Sequence, residues 1–168
     1  LSLEIKLLRQ LRHPHIVALL DVAADEYSVY LVQELLGGGE LFDYLLVKGA
    51  LAEPQALEIF AQLCLALHYL HGLAVAHRDI KTENIVFAVR DKPHVKLCDF
   101  GTADTWTAHE PLTGLVGTPH YMAPEIVRGW FSSEAEGLMA TSEPYGLECD
   151  LWSMHASSWT RTCVYLYS

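Results

Sequence analysis

Basic residues are scarce in this sequence: 11 Lys and Arg stand against 21 Asp and Glu, a formal net charge of −10. A nucleic-acid ligand demands a basic face to neutralise its phosphates, and this composition does not supply one. An acidic surface favours cationic peptides instead. Cysteine is sparse as well. Cys64, Cys98, Cys149 and Cys163 are scattered with no C-x-x-C pair, which argues against both a zinc site and a disulfide framework and makes a reducing cytoplasm or nucleus the expected compartment. No apolar run reaches the length of a membrane span; the longest, around Leu63 to Ala76, is interrupted by His68, His71 and Gly72. Gly37-Gly38-Gly39 lacks the G-x-G-x-x-G spacing, so it is not a phosphate-cradling loop. The sequence opens on Leu1 without a secretory n-region, and the expectation is an internal piece of a longer chain.

What is present is compact. The 168 residues, 51% of them apolar, suffice for one ordinary domain with a core of its own. Within them, His77-Arg78-Asp79-Ile80-Lys81-Thr82-Glu83-Asn84 puts a carboxylate, an ammonium and a carboxamide at fixed offsets, the groups that transfer of a phosphoryl group from a metal-bound nucleotide needs. Alone, so short a charged stretch could be a solvated turn. It is followed by the strand-like run Val95-Lys96-Leu97-Cys98, then Asp99-Phe100-Gly101, Gly117-Thr118-Pro119 and Ala123-Pro124-Glu125. Four motifs in this order are a specific signal.

With these motifs the sequence resembles the eukaryotic protein kinases of serine/threonine type. It is most similar to the calcium/calmodulin-dependent group, from about Glu4 to Ser153. The resemblance implies an α+β, two-lobed protein-kinase-like fold, truncated at both ends: a partial N-lobe over residues 1–34, a hinge and front half of a helical C-lobe over 35–154, and a non-matching tail over 155–168. It also implies ATP and Mg²⁺ as cofactors and Ser/Thr of protein or peptide substrates, of basic character, as acceptors. Asp79 would accept or orient the substrate hydroxyl proton, Lys81 would neutralise the travelling phosphoryl group, and Asn84 and Asp99 would hold Mg²⁺.

Further roles follow from the same resemblance. Thr118 would hydrogen-bond Asp79 and Lys81, marking serine/threonine specificity. Gln33 falls at the gatekeeper position; the backbone of Glu34 and Leu36 would bind adenine, with Val86 in its floor and Glu40 reaching the ribose or a substrate arginine. Glu4 would grip the strand-three lysine. Leu115, Pro119 and Met122 would line the pocket for the residue after the phosphoacceptor, and Glu83 joins Glu40 in an arginine preference. Arg78 would capture an activation-loop phosphate, for which Thr113 is the nearest candidate, since the expected position holds Gly114.

Periodicity places these residues on elements. Leu3, Leu7, Leu8 and Leu11 predict a helix over 1–12, ended by His13-Pro14. Ile16–Val22 and Val29–Glu34 read as an antiparallel pair. Leu57, Phe60, Leu63, Cys64, Leu67 and Leu70 predict a helix from Glu53 to His71, in which His68 and His71 are expected to be ordinary packing or surface residues. Ile85-Val86-Phe87 and Val95-Lys96-Leu97 should pair, bringing Asn84 and Asp99 to one edge. The family resemblance, not periodicity, implies that Leu8, Leu19, His77 and Phe100 stack as an apolar column; plain core packing is the compatible alternative.

Three departures limit the resemblance. The Gly-rich loop and strand-three lysine are missing, residues 130–143 read as an insertion rich in Ser, Glu, Ala and Gly, and after Asp150-Leu151-Trp152-Ser153 the text leaves the family pattern. A different class of function is therefore also open, a non-catalytic remnant that binds partners.

Overall fold

The computed structural model describes residues 2–90, 92–128 and 144–162; the expected insertion at 130–143 and the end of the tail lie outside the described residues. The chain divides into two compact units, Leu1–Ala66 with Thr82–Gly101, and Leu67–Lys81 with Thr102–Ser168.

In the first unit, α1 spans Leu3–Gln10. Ser2 caps it, and Glu4 in the first turn with Arg9 in the last suits the helix dipole. The helix is shorter than the 1–12 expected, ending four residues before Pro14 with the Leu11 N–H bonded to the Leu7 carbonyl. Its buried face also differs: Ile5, Leu7, Leu8 and Leu11 are buried, whereas Leu3 is exposed.

Strands β1 (Leu19–Ala24) and β2 (Val29–Gln33) form an antiparallel hairpin. Its turn is fixed by the Asp25 carboxylate, which accepts the N–H groups of Tyr27 and Ser28, both at 2.8 Å. The first strand starts later than the sequence suggests. Residues 15–17 run parallel to a different strand, with Val17 N–H to the Leu97 carbonyl at 3.0 Å and Leu97 N–H to the His15 carbonyl at 2.9 Å.

β3 (Gly39–Glu40), β5 (Ile85–Phe87) and β6 (Val95–Leu97) make a second antiparallel sheet in the order β3-β5-β6, with Ile85 opposite Leu97 and Gly39 opposite Phe87. The glycine triplet is thereby more than a loose turn. A Cβ on Gly38 would collide with Phe87, and Gly39 has φ +83°, where side chains are strained. Helix α2 (Leu41–Lys48), not anticipated from periodicity, follows directly and buries Leu41 and Leu45.

α3 (Glu53–Gly72) is the long helix expected, but its apolar stripe is rotated. Ile59, Leu63, Ala66, Leu67 and Leu70 are buried at spacings of four, three, one and three, while Leu57 and Phe60 face solvent. In the second unit, β4 (Val75–Ala76) pairs with β7 (Asp104–Thr105), placing Ala76 opposite Asp104. Below them Ala76, Leu112, Met122, Ala123, Ile126, Tyr145 and Cys149 form a core cluster. The last described element, α4 (Glu148–Thr162), continues past the point at which the family pattern lapses. Its serines are accommodated because the Ser157 hydroxyl donates back to the Ser153 carbonyl (2.8 Å) and the Ser153 hydroxyl to the Tyr121 carbonyl (2.8 Å).

The rotated stripe of α3 gives a direct check. Leu63→Ala removes a buried side chain and should cost about 2–5 kcal/mol, whereas Leu57→Ala should stay within about 0.5 kcal/mol. Urea unfolding of the two variants reads the difference; equal losses would contradict the packing described.

Candidate active site

In the second unit the site begins with a buried carboxylate. Asp150, on the first turn of α4 and fully buried, accepts the His77 N–H at 2.9 Å, the Arg78 N–H at 2.8 Å and the His71 imidazole at 3.0 Å. Three donors answer the cost of burying the charge. His71 was expected to have no special role; here it is a partner of the carboxylate that holds the 77–78 backbone. That backbone is unusual. Arg78 has φ +68°, the left-handed region that a branched or long side chain seldom enters, and a Cβ on Gly117 (φ +112°) would run into the Arg78 carbonyl. The glycine of Gly117-Thr118-Pro119 is thus required by close approach.

Held this way, Asp79, Lys81 and Thr118 form a closed triangle. The Lys81 ammonium donates to Asp79 Oδ2 at 2.7 Å and to Thr118 Oγ1 at 2.9 Å, and the Thr118 hydroxyl donates to Asp79 Oδ1 at 2.7 Å. Burial works against ionising Asp79, but the hydrogen bonds from Lys81 and Thr118 and the Lys81 charge outweigh it. Its carboxyl is held below the ordinary aspartate range. Arg78 points elsewhere in the same unit: Nε donates to the Thr102 carbonyl at 2.7 Å, Nη1 to the Thr113 carbonyl at 3.2 Å and the Tyr145 hydroxyl at 3.4 Å, and Nη2 pairs with Asp104 at 3.1 Å. Neither Asp104 nor Tyr145 was singled out by sequence. Leu115 and Met122 pack on or within the core cluster, whereas Pro119 is exposed.

In the first unit, the β5–β6 hairpin does what its spacing suggested. Asn84 ends a 3-10 turn just before β5, Asp99 lies two residues beyond β6, and the Cys98 N–H donates to the Asn84 carbonyl at 2.8 Å. Asp99, at φ +61°, accepts the Gly101 N–H at 3.1 Å. A carboxamide and a carboxylate at one hairpin edge are hard oxygen donors of the kind Mg²⁺ takes. Glu4 is within electrostatic reach: burial and then the Asp99 charge raise its carboxyl above the usual range.

The segment after β2 offers a second feature. The Glu34 carboxylate accepts the Ala18 N–H (2.7 Å) and the Lys96 ammonium (2.6 Å), and its own N–H goes to the Ala18 carbonyl. Gly37 and Gly38 donate to the carbonyls of Ala88 and Phe87. Among the described residues the Leu36 N–H is in no such backbone bond. Gln33 and Leu36 are half-buried, as is Val86 on β5; Glu40 is exposed at the start of α2, and Glu83 accepts the Thr82 hydroxyl at 3.1 Å. Leu8, Leu19 and Phe100 are buried in this unit and His77 in the other.

Residues 1–163 match the model of the protein kinase domain. The chain belongs to the protein kinase family. It is 39% identical over 153 residues to "Death-associated protein kinase 2" of Mus musculus, covering 90% of this chain and 38% of that protein. It is 38% identical over 154 residues to "Probable serine/threonine-protein kinase fhkD" of Dictyostelium discoideum, 90% of this chain and 20% of that one. It is also 36% identical over 167 residues to "Calcium-dependent protein kinase 5" of Plasmodium falciparum (isolate 3D7), 98% and 27%. The chain therefore spans less than two-fifths of the length of each of these kinases.

Two measurements follow. Because Asp79 is depressed in the folded chain, its contribution to stability is present above about pH 4 and is lost as pH falls through its folded value. Thr118→Val, which removes one donor to the ionised form, should move the Asp79 carboxyl titration upward in a carbon-detected NMR experiment; an unmoved midpoint would show that Thr118 does not hold it. Cys98, pushed up to about 12 by burial first and then by the Glu34 charge, with Lys96 opposing and Asp99 adding least, should resist iodoacetamide at pH 7.5. Rapid alkylation found there by mass spectrometry would contradict that environment.

Proposed function

We propose that this chain carries the phosphotransfer residues of an ATP- and Mg²⁺-dependent protein serine/threonine kinase, with protein or peptide hydroxyls as acceptors. The observation that carries the reading is the Asp79–Lys81–Thr118 triangle. ATP would supply the phosphoryl group, and Mg²⁺ would offset charge on its phosphates.

The chain's residues do the rest. Asp79, kept ionised by its two donors, orients the acceptor hydroxyl and takes its proton as the new P–O bond forms. Lys81 carries positive charge toward the same place without a proton change. Asn84 and Asp99 would hold the metal, the backbone at Glu34 and Leu36 would receive adenine with Gln33 and Val86 lining its place, and Glu40 would meet a ribose hydroxyl or a substrate arginine. Glu4, whose raised carboxyl reflects burial and the Asp99 charge, is suited to a lysine partner, since a nearby cation would favour its ionised form. Glu83 with Glu40 favours basic residues ahead of the phosphoacceptor, and Leu115, Pro119 and Met122 favour an apolar residue after it. The compartment that suits such chemistry and cysteines outside any disulfide at Cys64, Cys98 and Cys149 is a reducing one, the cytoplasm or nucleus.

Asp79→Asn should lower the rate of phosphate transfer to a basic serine peptide by about 10²–10⁴-fold with little change in the KM for ATP. A radiolabelled-ATP assay reads this, with a Mg²⁺-ATP thermal shift on the same samples. Absence of both transfer and shift in the unsubstituted chain would point to a partner-binding role. Transfer that survives Asp79→Asn would remove Asp79 from the chemistry.

A further inference from the structure

The Arg78 side chain is heavily engaged within the second unit. Its left-handed backbone is pinned by Asp150, and its guanidinium reaches three neutral oxygens, the carbonyls of Thr102 and Thr113 and the hydroxyl of Tyr145. The anion it meets is Asp104, at 3.1 Å. Asp104 is delivered there by strand register, since it lies opposite Ala76 in the β4–β7 pair, two residues before Arg78. The Arg78 side chain is 8% exposed and that of Asp104 38%, so the cation is largely desolvated while its partner keeps some water. A desolvated guanidinium needs a counter-charge, and this one has it from within the chain. Thr113 is exposed, and it is the Thr113 carbonyl that Arg78 binds. A phosphate on the Thr113 hydroxyl would meet a cation already neutralised and a carboxylate of its own sign.

We infer that Asp104 is a positioning residue that stands in for a loop phosphate: by occupying Arg78 it holds residues 102–118 so that Thr118 reaches Asp79, with Thr113 unmodified. On this inference the loop is held without a phosphate at Thr113. Its catalytic consequence rests on the kinase reading above, while the pairing itself does not.

Amide hydrogen exchange on the whole chain tests it. Asp104→Asn should speed exchange across 112–118 by about fivefold, the size expected for a partly exposed pair, and Asp104→Glu should restore most of the protection. Thr113→Ala should leave exchange unchanged. Raising salt to about 0.5 M should loosen the unsubstituted chain toward the Asp104→Asn level and leave that variant flat, a response that mere packing would not give. If Asp104→Asn failed to fold, as seen by loss of its melting transition, Asp104→Glu and the salt series would still decide. Protection in 112–118 that is indifferent to Asp104 and to salt would overturn the inference, as would loosening by Thr113→Ala or by phosphatase treatment. Exchange needs no substrate, so absence of peptide phosphorylation would count against the enzyme reading alone; in active samples Asp104→Asn should lower kcat and spare the KM for ATP.

Discussion

The second unit depends on one buried carboxylate. Asp150 has no water to solvate it, and it is stable because two main-chain N–H groups and an imidazole converge on its oxygens. The dependence runs the other way too. A backbone turned into the left-handed region at Arg78 would relax without those acceptors, and the direction of both the Arg78 and Asp79 side chains is set by that turn. Charge burial and backbone strain, each unfavourable alone, are made compatible by being placed against one another.

From that fixed point the chemistry is arranged by short, specific devices. Gly117 permits the approach of Thr118, whose hydroxyl and the Lys81 ammonium then set the ionisation of Asp79. In the first unit the same economy appears: a three-residue strand on each side of a hairpin presents Asn84 and Asp99 at one edge, and Gly38 lets the segment after β2 lie flat on Phe87. In the second unit the apolar core adjoins these polar groups, Tyr145 of the cluster meeting the Arg78 guanidinium, and it acts as the frame that keeps them from rearranging.

How much of this was legible in the sequence follows from distance along the chain. The residues of the triangle and of the hairpin edge sit in motifs whose order is itself information, and β5 and β6 occupy the segments expected to pair as strands. Long α3 was legible in extent but not in facing, because Leu57 and Phe60 are as apolar as Ile59 and Ala66, and only packing decides which are covered. β1 was misplaced at its start because His15 and Val17 bond to Leu97, a partner far along the chain that no local pattern reveals. The same holds for His71 with Asp150, 79 residues apart, and for Arg78 with Asp104. The continuation of α4 beyond Ser153 was obscured by serines that favour caps and turns in isolation, yet here bond within the helix or to a neighbouring carbonyl.

The 72-residue separation between the Arg78 N–H and the Asp150 oxygen that receives it also has a meaning in time. At a synthesis rate of about 5–20 residues per second, the ribosome finishes Asp150 roughly 4–14 s after Arg78. Throughout that interval the loop that carries Asp79 lacks its Asp150 brace, and the arrangement described above is incomplete until α4 arrives. Order of appearance thus makes the helix at 148–162 the switch from a chain that merely contains these residues to one that presents them.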